Sequence, residues 1–301
     1  MKHPCVILLG LSGLLSAALP SSGEELTAAS SFPPAAAVIF NSKANITKRL
    51  SEAHQLGRAL TRAQIAELYA FLNALPGPQE ANLAGLNVLK NDLVSLLQEQ
   101  IDPPAGLTST LIAVYQNPAQ DPVARDYALQ HLVTWAEQGA ADAPDATPRI
   151  RAVLRQAAQE NTSVAGTALL GLHRLSVSDP CAPPPLDSAP SGEEISQMAL
   201  RLLLSAQSPP AARITAIQVC AEREVTEALP PIQTLAQTES GTAVRISAIA
   251  ALGSLGGPEQ AVLLQRLAAQ PNPDLRPALE GALRRLHSRL RNNPALTQNS
   301  L

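Results

Sequence analysis

Arginine recurs at one phase of this chain, and its planar donors suit it to grip carboxylates, phosphates and carbonyl oxygens. Arg125, Arg213, Arg245 and Arg276 each stand near the start of an apolar-patterned segment. Two chemistries fit a cation repeated in this way. Each guanidinium can pair with a carboxylate or carbonyl of an adjacent unit, or the set can form an anion-binding ladder along one edge. Repetition favours the structural pairing, because a residue that recurs in every unit normally serves the stack. His131 is a second candidate for partner contact: the matching positions are Gly171, Val219, Ala251 and Ala282, so it falls on a row of small or apolar residues. It has no Cys, Asp or second His at metal spacing, which leaves it outside metal chemistry. Trp135 shares a position with Leu175 and Leu255 and reads as core packing, whereas His173 reads as solvated. No nucleophile elbow, phosphate loop or paired catalytic carboxylates emerge, so no catalytic residue, metal site or cofactor is assigned.

The elements that carry these residues repeat. In Thr242–Leu255, Val244, Ala248, Ile249, Leu252 and Leu255 share one helical face built from small side chains. Gly256 and Gly257 end that helix, and Pro258 opens another with Val262, Leu263 and Leu267 inward. Aligned on the arginine, second helices begin at Val123-Ala124-Arg125, Ser163-Val164-Ala165, Ala211-Ala212-Arg213, Ala243-Val244-Arg245 and Asp274-Leu275-Arg276, with spacings of 40, 48, 32 and 31 residues. Ala165 breaks the arginine pattern. The longest spacing contains the insert 178–192, whose five prolines predict an exposed extended loop. Periods in this range predict an all-α solenoid of antiparallel helix pairs over residues 106–290. Upstream, residues 38–105 read as a helical cap or divergent repeats: one helix over about 46–60, one over 62–75 capped by Thr61, and one over 79–100. Leu75, Leu83 and Val88 are counted among their inward residues.

Composition agrees with helix-on-helix packing. Apolar residues make up 46% of the 301, but aromatics only 2%, so Ala and Leu fill the core. A formal net charge of −3 lacks the basic excess that nucleic acid binding needs. Lys2 and His3 precede an apolar run, Cys5–Leu19, and Pro20-Ser21-Ser22-Gly23 follows it. That order predicts an export signal over 1–23, with an uncleaved membrane anchor as the alternative. Residues 24–37 then read as a flexible lead-in and 291–301 as a disordered tail. Cys220 takes a position held elsewhere by leucine and Cys181 lies on the insert, so both are expected as free thiols.

The segments Asp121-Pro122-Val123-Ala124-Arg125 and Ala243-Val244-Arg245-Ile246-Ser247-Ala248-Ile249-Ala250-Ala251-Leu252-Gly253 resemble HEAT repeats, in particular the short class also found in phycobilisome lyase subunits. The resemblance covers about residues 107–287, with departures at Ala165 and Pro277. It implies a superhelix with a concave helix row; together with the expected export signal and the missing catalytic cluster, the repeats predict a non-enzymatic scaffold for a protein or peptide, in the periplasm or outside the cell. The other readings are a lyase or chaperone handling a tetrapyrrole-carrying partner, and a purely structural envelope spacer. Export argues against the tetrapyrrole reading, because that chemistry is cytoplasmic in the families resembled.

Overall fold

The computed structural model describes residues 30–77, 79–139, 142–177 and 191–293. The expected export signal, the insert up to residue 190 with Cys181, and the tail from 294 lie outside them. All regular structure among the described residues is helical. A 3-10 turn, Ala36–Phe40, and α1 (Ile46–Ala53) come first. Six hairpins follow: α2 (Arg62–Asn73) with α3 (Leu83–Gln98), α4 (Leu107–Gln116) with α5 (Pro122–Glu137), α6 (Ala146–Ala157) with α7 (Val164–Val177), α8 (Gly192–Leu204) with α9 (Pro210–Glu222), α10 (Leu229–Thr238) with α11 (Thr242–Leu255), and α12 (Pro258–Ala268) with α13 (Arg276–Asn292).

The helix starts follow local chemistry. The Thr61 side chain accepts from the Gln64 amide while Gln64 answers to the Thr61 amide, a reciprocal cap. Asn82, Asp121 and Ser191 accept from the Gly85, Val123 and Glu194 amides in the same way. Prolines sit in the first turn of α5, α9, α10, α12 and α13, where a missing N–H costs nothing.

The second helix of each hairpin packs on the second helix of the next, so α3, α5, α7, α9, α11 and α13 form one unbroken row. First helices touch one another more sparsely, chiefly at α2–α4–α6. A row packed more tightly on one side curves toward that side, which places the second helices on the inner face. Small residues set how close they come. A Cβ added to Gly253 would stand 2.7 Å from the Ala282 Cα, and one on Gly166 would stand 2.8 Å from the Ala212 Cα. At both crossings the two backbones are already in contact.

The α2–α3 hairpin lies in the same two rows, and α1 packs on α3 ahead of it. Residues 30–37 differ from the flexible lead-in expected of them: Phe32 is buried, as is Ile39 just beyond. Phe32 meets Phe40 and Phe40 meets Phe71 at ring separations of 5.4 and 5.3 Å. These are the chain's three phenylalanines. They close the first end of a core that is elsewhere built mainly from Ala, Leu, Ile and Val, with Tyr115 and Trp135 as its large rings. Beneath them the buried Arg49 donates from Nε to the Ile39 carbonyl at 2.9 Å and pairs with Glu80 at 2.6 Å. The first helix is also shorter than its pattern predicts, ending at Ala53 rather than near residue 60. Leu75, Leu83, Val88 and Val262 are exposed rather than inward. The first two flank the α2–α3 connection, and on α12 the buried face is Ala261, Leu264 and Leu267, one residue out of phase with Val262.

Gly253→Val is expected to destabilise the chain by at least about 2 kcal/mol, because overpacking a backbone contact forces helices apart. Gly57→Ala, where an added Cβ meets nothing within 4 Å, is expected to be neutral. Urea unfolding of both variants checks the pair.

Candidate functional site

The repeated arginines turn into their own hairpins. Arg125 donates from Nε to the Tyr115 carbonyl at 2.7 Å, and Arg245 donates to the Ala236 carbonyl at 2.9 Å. Arg213 donates from Nη2 to the Ser205 carbonyl at 3.1 Å. Each acceptor lies at the C-terminal end of that unit's first helix, where carbonyls lack intrahelical partners and the dipole favours a cation. The carbonyl acceptor is thus within the unit rather than in an adjacent one. The next unit adds a carboxylate in two cases: Glu160 lies 3.8 Å from Arg125, and Glu239 lies 3.6 Å from Arg213.

Where Ala165 replaces the arginine, the function moves to another residue. Arg201 on α8 donates to the Ala158 carbonyl, at the end of α6, at 2.8 Å. In the first hairpin the buried Lys90 donates to the Leu72 and Ala74 carbonyls at 3.0 and 2.7 Å. Burial pushes its ammonium down to about 8. Arg276 does not belong to this set. Arg125, Arg213 and Arg245 are fourth in their helices, but α13 begins at Arg276 itself, which is exposed. No anion-binding ladder forms from these residues.

His131 lies between second helices. Its Nδ1 is 3.0 Å from Gln98 Oε1 and its Nε2 is 3.0 Å from the Asn91 side chain, both on α3. Gln98 also donates to the His131 carbonyl at 2.8 Å, which fixes Oε1 toward the ring. The neutral ring therefore donates from Nδ1 to Gln98 Oε1, while Nε2 faces Asn91 Oδ1. Burial pushes the imidazole down to about 4, against smaller upward pulls from Asn91 and Asp92. His131 thus clamps α5 to α3. Tyr127, Lys90 and Asn87 share with it a narrow cleft of about 300 Å³ that includes its open mouth.

His173 is not solvated as its flank position suggests. Its Nε2 is 2.9 Å from Glu222 on α9, and its side chain is only 11% exposed. Thr167 donates to Asp126 at 2.6 Å between α7 and α5, and His54 meets Asp92 on α3 at 2.9 Å. The inner row is therefore cross-linked by polar pairs from α1 to α9. Trp135 is buried as expected, and its indole N–H donates to Asp142, which also accepts from Thr108 at the start of α4. Cys220 is buried, and desolvation pushes its thiol up to about 12, so it is inert at neutral pH.

Beyond α9 the inner row changes character. The inward face of α11 presents Ser247, Ala250, Ala251 and Ser254, and these floor an open trough of about 590 Å³. Gln218 and Glu222 of α9 stand on one side and Arg285 of α13 on the other. A floor of short side chains lets another backbone approach, and opposite charges on the two walls give it a direction. Sequence reasoning missed this trough. Its signal was the run of small residues at the α11 phase, which also has a packing explanation. Among the described residues no group of three or more His, Cys, Asp or Glu comes together at metal-binding distance. Among them, too, no helix is long and apolar enough to cross a membrane.

The class this geometry defines is a helical-hairpin solenoid with a continuous inner row. Residues 198–284, from within α8 to within α13, match the family model for HEAT repeats. Among solved structures it is similar to human deoxyhypusine hydroxylase in complex with glycerol, at 18% identity and a TM-score of 0.34, over 84% of this chain and 94% of that one. A likeness at that level does not bear on activity. No curated protein sequence matches the chain.

Two expectations follow. Arg245→Ala and Arg201→Ala each lower stability by about 1.5–3 kcal/mol, the range for losing a charged hydrogen bond, while Arg276→Ala leaves it unchanged; urea titration distinguishes them. The His131 imidazole is held below its unfolded value of about 6.5, so between there and about 4 the unfolded chain binds more protons than the folded one. Stability therefore falls as pH drops through that window, by up to about 3 kcal/mol. Unfolding midpoints followed downward from neutral pH are expected to fall less steeply in His131→Gln than in the unsubstituted chain.

Proposed function

We propose that this protein is a non-enzymatic scaffold that holds a polypeptide segment along its inner helix row, seated in the α11 trough. HEAT repeats generally serve as protein-interaction scaffolds, and the matched segment, 198–284, holds every residue of the trough except Arg285. The observation that carries the reading is the contrast along the row. From α1 to α9 the inner surface is occupied by its own polar pairs, whereas the face of α11 is left open, small and flanked by charge. The basic start, apolar run and small-residue exit over residues 1–23 support export, which would place the scaffold in the cell envelope or outside the cell.

A photo-crosslinking residue placed at Ser254 is expected to capture one or two reproducible partners on intact cells. The same residue at Gln265, exposed on the first-helix row, is expected to capture none of them. Equal capture from both positions, or capture only from Gln265, would remove the trough from the account.

A further inference from the structure

The last helix among the described residues carries charge that the array itself does not use. Helix α13 holds five of the chain's 22 Lys and Arg residues but only one of its 25 Asp and Glu residues, so the rest of the chain is net acidic. Two of those arginines face the inner row: Arg285 donates to the Ala250 carbonyl, and Arg289 donates to the Gly256 carbonyl at 3.1 Å. The remainder point away from the array. Arg276, Glu280, Arg284, His287 and Arg291 follow one another at spacings of four, four, three and four, which puts them on one helix face. All five are exposed. Arg284 reaches only Glu280, at 4.0 Å, with both side chains more than half exposed. Among the described residues no ion pair or hydrogen bond engages the side chains of Arg276, His287 or Arg291. The sequence that follows, residues 294–301, contains no Asp or Glu.

A terminal helix of a stacked array needs a polar outer face, and mixed charges would supply that. Here three of the five residues on the face are arginine, the side chain best suited to pairing carboxylates two hydrogen bonds at a time, against a single Glu280. We propose that the outward face of α13 docks an acidic polypeptide segment of another protein. From Arg276 to Arg291 the face runs about 22 Å, the length of about seven extended residues. A bilayer is a poorer match, because a helix that lies on lipid must insert its apolar side. Leu279, Ala282 and Leu286 are already buried in the core. A long polyanion such as nucleic acid would meet the net acidic remainder of the chain beyond this one helix. This site is separate from the inner trough and does not rest on it.

The test is fluorescence anisotropy at low salt, with a labelled glutamate-rich peptide about seven residues long and the full chain. Binding is expected to weaken about tenfold or more in the triple variant Arg276→Glu, Arg284→Glu, Arg291→Glu. The triple variant Lys43→Glu, Lys48→Glu, Arg62→Glu carries the same charge change on exposed residues at the other end and is expected to bind as the unsubstituted chain does. Unchanged circular dichroism in both variants shows that the fold is retained. Equal weakening in both variants would mean nonspecific attraction and overturn the proposal, as would an absence of peptide binding. Tighter, α13-dependent binding to phosphatidylserine vesicles than to the peptide would overturn it in favour of a lipid surface.

Discussion

The close approach of successive second helices is the constraint on which this structure depends. At Gly166 against Ala212, and at Gly253 against Ala282, there is no room for one further carbon. Backbones that touch on one side of a two-row array leave the other row splayed, and curvature follows from that difference. The same constraint accounts for the composition. A core whose thickness is set by touching backbones has little space for aromatic rings, and all three phenylalanines lie at the first end, where among the described residues no earlier hairpin covers the stack.

Within each hairpin the recurring task is to satisfy the first helix's C-terminal carbonyls. Arginine does this from the fourth position of α5, α9 and α11. Arg201 does it from the following hairpin where that arginine is missing, and Lys90 does it in the first hairpin. What persists along the array is an electrostatic requirement rather than one residue at one position. Cations committed to carbonyls in this way are unavailable to ligands. The surfaces proposed for partners are those the stack itself leaves open: the small-residue face of α11 and the outward face of α13.

Much of this architecture was legible in the sequence, because small and apolar residues at helical spacing report helix phase directly. Ala128, Ala168, Ala216, Ala248 and Leu279 are all buried where the alignment puts them, and Trp135 and Cys220 take core positions. The less legible parts depend on tertiary partners. Nothing local shows that His173 will meet a carboxylate 49 residues away, or that residues 30–40 will be held by Phe71. Leu75 and Leu83 fit an apolar pattern but flank a connection, where a helical phase no longer predicts direction. The arginines were assigned a structural role from repetition alone, yet their within-unit acceptor could not be inferred without knowing where each first helix ends.

Amide hydrogen exchange followed helix by helix tests the central claim most directly. If touching second helices organise the fold, α5, α7, α9 and α11 exchange slowest and open together, with first helices faster on either side. The proline-rich insertion between α7 and α8 then introduces no break in that protection. Slower exchange in the first helices, or two blocks opening independently on either side of the insertion, would contradict the account.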